Sequence, residues 1–162
     1  MALKFKCVPF QKLSVSELYE IMALRQEVFV VEQNCPYLDA DGKDLTGWHL
    51  MGRNMELPTA SDTEGVLVAY TRLLPKGVAY ENYASIGRVV NSPKVRGLGY
   101  GKNLMIESIS QIEKRFPNQP VKIGAQSYLL KFYQSLGFES TGEEYLEDGI
   151  PHTSMVLIQK FN

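Results

Sequence analysis

Apolar residues recur at helical spacing in two stretches of the chain. The first stripe consists of Leu18, Ile21, Met22, Val28 and Phe29. A Ser-x-x-Glu capping box at Ser14 and Glu17 predicts that this helix begins there, and its apolar spacing continues to about Val30. The second stripe consists of Met105, Ile109, Ile112 and Phe116. These four residues share one helical face and predict a helix over residues 102–116.

Runs of β-favouring residues alternate with turn-forming residues over much of the remaining chain. Strands are predicted over residues 3–10, 48–53, 65–74, 83–90, 121–125, 138–147 and 152–158, with turn-rich segments at 58–64 and 75–80. Residues 127–136 are helix-compatible, and Asp148-Gly149 is the turn of a last hairpin. The strand, helix, strand order over residues 83–125 predicts a parallel strand pair. The pattern therefore predicts a mixed α+β fold, with a largely antiparallel central sheet flanked by helices.

Size and charge narrow the class of protein. The 162 residues are the length of one domain, so a single domain over residues 1–162 is predicted. With 17 basic and 18 acidic residues the formal net charge is −1, which gives no reason to expect a nucleic-acid or membrane partner. The sequence shows neither a secretion signal nor an apolar run of membrane-spanning length, so a cytoplasmic protein is expected. Cys7 and Cys35 lack metal-ligand spacing and are predicted to be reduced thiols.

Three aspartates cluster in the turn-rich segment 34–47, namely Asp39, Asp41 and Asp44. An EF-hand calcium loop requires glycine at its sixth position and glutamate at its twelfth. Counted from Asp39, these positions hold Asp44 and Leu50. No metal is therefore predicted here, and the segment is interpreted as a solvated loop beside a substrate pocket.

The most informative motif is Arg96-Gly97-Leu98-Gly99-Tyr100-Gly101, which lies between the apolar run 86–90 and the helix predicted over 102–116. Glycines let a ligand approach the backbone, and the free N–H groups at a helix N-terminus attract anions. The spacing matches neither the Gly-x-Gly-x-x-Gly dinucleotide fingerprint nor the P-loop. The hexapeptide predicts a phosphate-binding turn, with a plain glycine-rich turn as the alternative.

The hexapeptide resembles the Arg/Gln-x-x-Gly-x-Gly/Ala acyl-CoA loop of the GNAT superfamily of N-acetyltransferases, with Arg96, Gly99 and Gly101 at the motif positions. Residues 132–138 resemble the Phe-Tyr-x-x-x-Gly-Phe element of the same superfamily. The order of strands and helices is also similar, so the likeness covers nearly the whole chain. Residues 24–33, 41–50 and 148–152 resemble the ElaA-like branch of GNAT proteins. The resemblance implies a GNAT-like sheet whose parallel strands splay apart around the acyl-CoA loop.

The resemblance implies acetyl-CoA as the cosubstrate. The pyrophosphate would bind the hexapeptide and the adjacent lysine, and the pantetheine chain would lie along the end of the fourth strand. The implied acetyl-CoA-binding residues are Val89, Val90, Asn91, Arg96, Gly97, Leu98, Gly99, Tyr100, Gly101 and Lys102.

Tyr133 is implied as the general acid, because a phenol with a pKa of about 10 stays protonated at neutral pH and can protonate the leaving thiolate. The general base is left open. Many GNAT proteins carry a glutamate on the fourth strand, where this chain has Ser85-Ile86-Gly87-Arg88. The candidate bases are Glu27, Glu32, Asp41, His49, Glu144 and His152. Arg88, His49 and His152 are the candidates for binding the acceptor.

The sequence thus predicts an acetyl-CoA-dependent N-acetyltransferase that transfers an acetyl group to a primary amine of a small molecule, peptide or protein by direct attack on the thioester. A non-catalytic acyl-CoA-binding module and a different acyl-CoA chemistry are the alternatives. The loop 34–47 and the hairpin 148–152 are expected to border the acceptor site, and their acidic residues suit a cationic amine. Homodimers are common on this fold, although no feature of the sequence specifies one.

Overall fold

The computed structural model describes residues 3–59 and 64–158, and these residues build a seven-stranded sheet with helices on both faces. The strands are β1 (Lys4–Pro9), β2 (Trp48–Asn54), β3 (Val66–Leu74), β4 (Ala84–Asn91), β5 (Val121–Gln126), β6 (Glu139–Glu147) and β7 (Ile150–Leu157). The helices are α1 (Val15–Arg25), α2 (Tyr100–Arg115) and α3 (Leu130–Ser135). The order across the sheet is β1-β2-β3-β4-β5-β7-β6. The predicted fold class is confirmed; part of the predicted turn 58–64 lies outside the described residues.

Helix α1 begins at the predicted capping box. The Glu17 N–H donates to the Ser14 hydroxyl at 3.0 Å, and the Ser14 N–H donates to the Glu17 carboxylate at 2.8 Å. The helix does not stay regular as far as Val30, because it changes at Gln26 into wider π turns over Gln26–Glu32. Such segments often occur at functional sites, and this one forms part of the cleft described below.

The helices divide between the two faces of the sheet. Helix α1 packs against one face, where Met51, Tyr70 and Val90 are buried beside it. Helices α2 and α3 cover the other face, with Met105 and Phe138 in the largest apolar cluster. Because successive strand residues point to opposite faces, the central strands β3 and β4 contribute residues to both clusters. Within the described ranges, no helix combines the length and the apolar character that a membrane span requires.

The parallel pair β4 and β5 opens along its length. The two strands are paired only at Ala84 with Val121 and at Ser85 with Lys122. Every other neighbouring pair of strands in the sheet is antiparallel. Beyond Ser85 the facing edges of β4 and β5 separate, which leaves a gap in the middle of the sheet.

A β-bulge in β4 lies beside this gap. Tyr70 of β3 pairs with Val90 and Arg72 pairs with Gly87, so Arg88 and Val89 together face a single residue of β3. Arg88 has a φ of 49°, in the left-handed region that residues with a Cβ seldom occupy. The bulge therefore redirects the backbone and the Arg88 side chain at the point where the strands diverge.

Candidate active site

The gap between β4 and β5 opens into a cleft of about 960 Å³. One wall is β4 from Ser85 to Asn91, and the opposite wall comes from β5, α3 and the β6–β7 hairpin. The π segment after α1 and the loop 34–47 close one side, and Arg96 and Gly101 lie at one end. The cleft therefore joins residues from both halves of the chain, including the predicted residues Arg88, Val89, Val90, Asn91, Arg96, Gly101, Tyr133 and His152.

The β4 wall offers backbone groups to a ligand. Because only Ala84 and Ser85 pair with β5, the N–H and C=O groups that residues 86–91 direct toward β5 have no strand partner there. An extended chain that carries amide groups, as pantetheine does, has the chemistry to pair with such an edge. Gly87 leaves open space beside this wall, because it has no side chain and no other atom lies within 4 Å of where a Cβ would be.

The glycine hexapeptide forms the turn into α2. Gly97 and Gly99 both have a φ of 81°, and Gly99 is the N-cap of the helix. The space that a Cβ would enter at either glycine is free of other atoms within 4 Å. A cup lined by backbone and lying at the N-terminus of a 16-residue helix suits a pyrophosphate.

The side chains of the hexapeptide differ in what they can contribute. Tyr100 is buried in a small apolar cluster with Val68 and Val95, so it has only its backbone to offer a ligand. Leu98 is exposed. The Arg96 guanidinium forms an ion pair with Glu32 of the π segment, and both side chains are partly open to solvent.

Tyr133 lies on α3 in the wall of the cleft. Its ring packs edge-on against Phe132 and Phe138, with centroid distances of 5.2 and 5.9 Å. Burial raises the pKa of the Tyr133 phenol to about 12, so the hydroxyl keeps its proton at neutral pH. The aromatic contacts fix the ring and leave the hydroxyl as the polar group that Tyr133 brings to the cleft.

The loop 34–47 is held to the sheet by a network of three arginines and three aspartates. Buried Arg25 of α1 donates to Asp39 and to Asp44, at 2.7 Å in each case. Arg72 of β3 donates to Asp41 at 2.8 Å and to Asp44 at 3.0 Å. Burial alone would raise the pKa of Asp41, but the hydrogen bonds and charge of Arg72 outweigh it and hold that pKa at about 2. The same balance, with Arg25 as the main partner, keeps the pKa of Asp44 below its usual value.

Arg88 completes this network. Its Nε lies 2.8 Å from the Asp39 carboxylate, and its Nη2 lies 3.3 Å from that of Asp41. Arg88 is one of the candidates for binding the acceptor, yet its charge is balanced inside the protein by Asp39 and Asp41. The aspartates of the loop were expected to attract a cationic amine, and that expectation needs correction, because three guanidinium groups neutralise them.

The two histidines lie in different places. His49 is buried between the Tyr70 hydroxyl, 2.7 Å from Nδ1, and the Asp44 carbonyl oxygen, 2.9 Å from Nε2. Burial lowers its pKa, and the residue does not line the cleft. His152 of β7 does line it. The His152 Nδ1–H donates to the Ile150 carbonyl at 2.7 Å, and its Nε2 lies 3.4 Å from the Glu147 carboxylate. Of the two candidates, the structure brings only His152 into the cleft.

Several cleft residues at the hairpin end were missed from the sequence. The Tyr145 ring stacks on the His152 imidazole with centroids 5.6 Å apart. The Tyr145 and Tyr80 hydroxyls hydrogen-bond to each other, and burial raises the pKa of Tyr145 to about 12. A Cβ at Gly124 would collide with the Tyr145 hydroxyl, so that hydroxyl occupies the space a side chain on β5 would fill.

Comparisons with known proteins agree with this geometry. A model of the acetyltransferase (GNAT) domain matches residues 50–159 of the chain. Protein ElaA of Escherichia coli K12 is 46% identical over 147 residues, which cover 89% of each chain.

Solved structures of similar proteins have the same fold. The crystal structure of an acyl-CoA N-acyltransferase from Pseudomonas aeruginosa has a TM-score of 0.85 at 40% identity, and the match covers 96% of this chain and 99% of that one. The crystal structure of Escherichia coli ElaA has a TM-score of 0.82 at 41% identity, with the same coverage.

Proposed function

The chain belongs to the GNAT family of acetyltransferases, which use acetyl-CoA as the cosubstrate, and on that premise we propose that it transfers the acetyl group to a primary amine of a small molecule or peptide. The observation that carries the proposal is the cleft between the splayed strands β4 and β5. Its lining includes Gly101 at the start of α2, Tyr133 of α3 and residues of the β6–β7 hairpin. One space thus brings together the glycine turn, a phenol and the hairpin.

In the proposal, each part of acetyl-CoA contacts a specific group of the protein. The pyrophosphate binds the N–H groups over residues 97–101, with Arg96 and Lys102 supplying positive charge. The pantetheine amides pair with the free edge of β4 at Val89, Val90 and Asn91. A backbone N–H at the bulge polarises the thioester carbonyl, and such preorganised donors lower the barrier to attack.

Tyr133 assists the departure of the thiolate in this proposal. A thiol with a pKa of about 8.5 is a stronger acid than this phenol, so the hydroxyl assists chiefly by a hydrogen bond that shortens as the C–S bond breaks. The amine nitrogen attacks the carbonyl carbon directly. The remaining expectations, a cytoplasmic single domain and a homodimer, stay predictions.

The proposal is tested by mixing the protein with acetyl-CoA and each of four acceptors: n-butylamine, cadaverine, tyramine, and a peptide with a free amino terminus. CoA release is followed by thiol titration, and the N-acetyl product by mass spectrometry. The Tyr133→Phe variant should lose about 100-fold in kcat, with acetyl-CoA affinity unchanged, because only the hydroxyl is removed. Tyr128→Phe is the matched control, since Tyr128 lines the same cleft and is mostly exposed.

Product formed by the wild type and lost in Tyr133→Phe supports transfer with Tyr133 as the acid. Equal turnover by the wild type and Tyr133→Phe would remove Tyr133 from the mechanism. Tight acetyl-CoA binding with no acetylation of any amine would instead identify a non-catalytic acyl-CoA-binding module and contradict the proposed function.

A further inference from the structure

His152 and Glu147 form a polar pair in the acceptor-side wall of the cleft. Strand alternation separates this wall from Tyr133: Ile123 and Met155 belong to the apolar cluster under α2 and α3, whereas Gly124 and His152 point to the opposite face. The cleft passes between the two faces. An amine that enters from the face of His152 therefore meets the thioester from the side opposite Tyr133.

The contacts of His152 determine which of its ring nitrogens is free. The Ile150 carbonyl is an acceptor only, so Nδ1 carries a proton and donates it at 2.7 Å. In the neutral imidazole, Nε2 is then an acceptor, and the Glu147 carboxylate, also an acceptor, lies 3.4 Å away. Two acceptors that face each other in this way attract a cation or a proton. An ammonium group is both a cation and a proton donor, so it can lie between Nε2 and the carboxylate.

Two other carboxylates that line the cleft already have partners. Asp41 is held by Arg72 and Arg88, and Glu32 by Arg96. The surroundings of His152 include the titratable residues Tyr145 and Glu147 of β6, with Tyr80 bonded to Tyr145. Glu143 adds its charge near Tyr80 and Tyr145, Asp148 lies at the hairpin turn, and the partner of His152 on β5 is the uncharged Gln126.

We infer that His152 is the general base that deprotonates the acceptor's ammonium group, and that Glu147 is a positioning residue that attracts the ammonium to Nε2. The inference rests on the proposed function. His152 has 7% of its surface exposed, and the stacked Tyr145 ring and the bond to Ile150 hold its imidazole in one orientation. Glu147 is largely exposed, so the proton on His152 has a route to solvent.

The protons of the reaction balance. The ammonium nitrogen gives one proton to His152 Nε2 and becomes a neutral amine. That nitrogen attacks the thioester carbon, the C–N bond forms, and the C–S bond breaks while the Tyr133 hydroxyl donates a hydrogen bond to the departing thiolate. Of the two protons left on nitrogen, one stays on the amide and the other passes to the sulfur, which gives the CoA thiol. The substrate class is an amine that is protonated at neutral pH.

The test compares the wild type with His152→Asn and His152→Gln, using the amine of the four-member panel that the wild type acetylates fastest. The asparagine amide keeps a donor for the Ile150 carbonyl and removes the basic nitrogen, while glutamine places a non-basic amide near Nε2. At pH 7 we expect kcat to fall about 100-fold in both variants, with acetyl-CoA affinity and thermal unfolding close to wild type.

The pH profile distinguishes a base from a structural residue. In the variants the rate should rise with pH toward the pKa of the free alkylamine, about 10.4, because only amine that is already neutral reacts. The gap between variant and wild type should therefore narrow from pH 7 to pH 10. Glu147→Gln should raise the KM for the amine more than it lowers kcat, because it removes the carboxylate that attracts the ammonium group. Glu144→Gln is the matched control, because Glu144 lies on the same strand and outside the cleft.

His152 variants that acetylate the amine at the wild-type rate would overturn the assignment of His152 and leave the proposed function in place. A constant loss of rate at every pH would also overturn it, because that is the signature of a structural role. Wild-type protein that binds acetyl-CoA and acetylates no amine would contradict the proposed function, and the assignment of the base with it.

Discussion

At the scale of single residues, the proposed binding of the acetyl-CoA pyrophosphate depends on whether the Arg96 guanidinium is available to a phosphate. The Arg96 guanidinium is paired with the Glu32 carboxylate, which extends from the π segment. Both side chains are partly exposed, and ion pairs of this kind contribute little to stability. The pair is therefore easy to exchange, and in the proposed function a pyrophosphate competes with Glu32 for the same guanidinium.

Replacing Glu32 with glutamine should tighten acetyl-CoA binding. The variant removes the internal competitor for Arg96 and one negative charge near the phosphate, so the Kd should fall about two- to five-fold. Isothermal titration calorimetry with acetyl-CoA measures this directly. Glu27→Gln removes the same charge from an exposed position of the same segment and outside the cleft, so its Kd should match the wild type. Weaker binding by Glu32→Gln would contradict the prediction.

Single residues also show how far sequence reasoning extends. Gly99 and Tyr133 belong to contiguous motifs, so their spacing is enough to predict them. His49 and His152 carry no such motif, and only the register of the sheet separates a buried histidine from one in the cleft. The position of Tyr145 could have been predicted from the sequence, because a two-residue turn at Asp148-Gly149 fixes the hairpin register and pairs Tyr145 with His152.

At the scale of elements, the loop 34–47 is the segment that most needs explanation, because it has little regular structure beyond one short 3₁₀ turn at Lys43–Thr46. Its position is set by the six-residue Arg–Asp network, which ties it to α1, β3 and β4. Removing a single member of such a buried network strongly destabilises the protein, because the charges left behind are unpaired and shielded from water. The loop is thus a fixed wall of the cleft.

Asp44→Asn should destabilise the protein by about 3 kcal/mol, because it leaves Arg25 and Arg72 short of a buried counter-charge. Urea unfolding measures the change. Asp148→Asn is the control, because Asp148 is exposed and has a φ of 52°, which asparagine tolerates. Equal urea midpoints for Asp44→Asn and the wild type would contradict the role of the network.

The same network predicts how stability depends on pH. A carboxyl whose pKa is lower in the folded than in the unfolded protein stabilises the fold above the unfolded value and loses that effect as pH falls. For Asp41 the loss should extend from its ordinary value of 3.8 down to about 2, and Asp44 shifts in the same direction. The free energy of unfolding should therefore fall between pH 4 and pH 2, and by less in Asp44→Asn. A decline of equal size in both proteins would contradict this prediction.

The regular strands and helices were predicted better than the irregular segments, and the reason is physical. Strands, α1 and α2 follow local periodicity and caps, so their existence and order could be derived. The bulge at Arg88 and the π turns at Gln26–Glu32 could not, because both are irregularities that tertiary packing imposes on residues with ordinary propensities. The Arg–Asp network joins residues up to 49 positions apart, and no local pattern reports such contacts.

At the scale of the whole molecule, the cleft fits the proposed direct transfer, in which no protein thiol carries the acetyl group. Neither cysteine lines it in the described part of the chain, and burial raises the pKa of Cys7 to about 11, which keeps that thiol protonated and unreactive. Residues of the glycine turn, the open edge of β4 and the hairpin line one path through the sheet. In the proposed function, acetyl-CoA and the amine approach from opposite faces and meet where β4 and β5 diverge.

The central claim is that this path is an acetyl-CoA site, and calorimetric titration of the wild type and Leu98→Glu with acetyl-CoA tests it most directly. Leu98 is exposed between two glycines of the hexapeptide, so a glutamate there adds a negative charge beside the pyrophosphate without altering the core. Leu98→Gln is the uncharged control. We predict binding by the wild type and Leu98→Gln, and a Kd at least about 10-fold higher for Leu98→Glu. Equal affinity in all three proteins, or binding by none, would contradict the account.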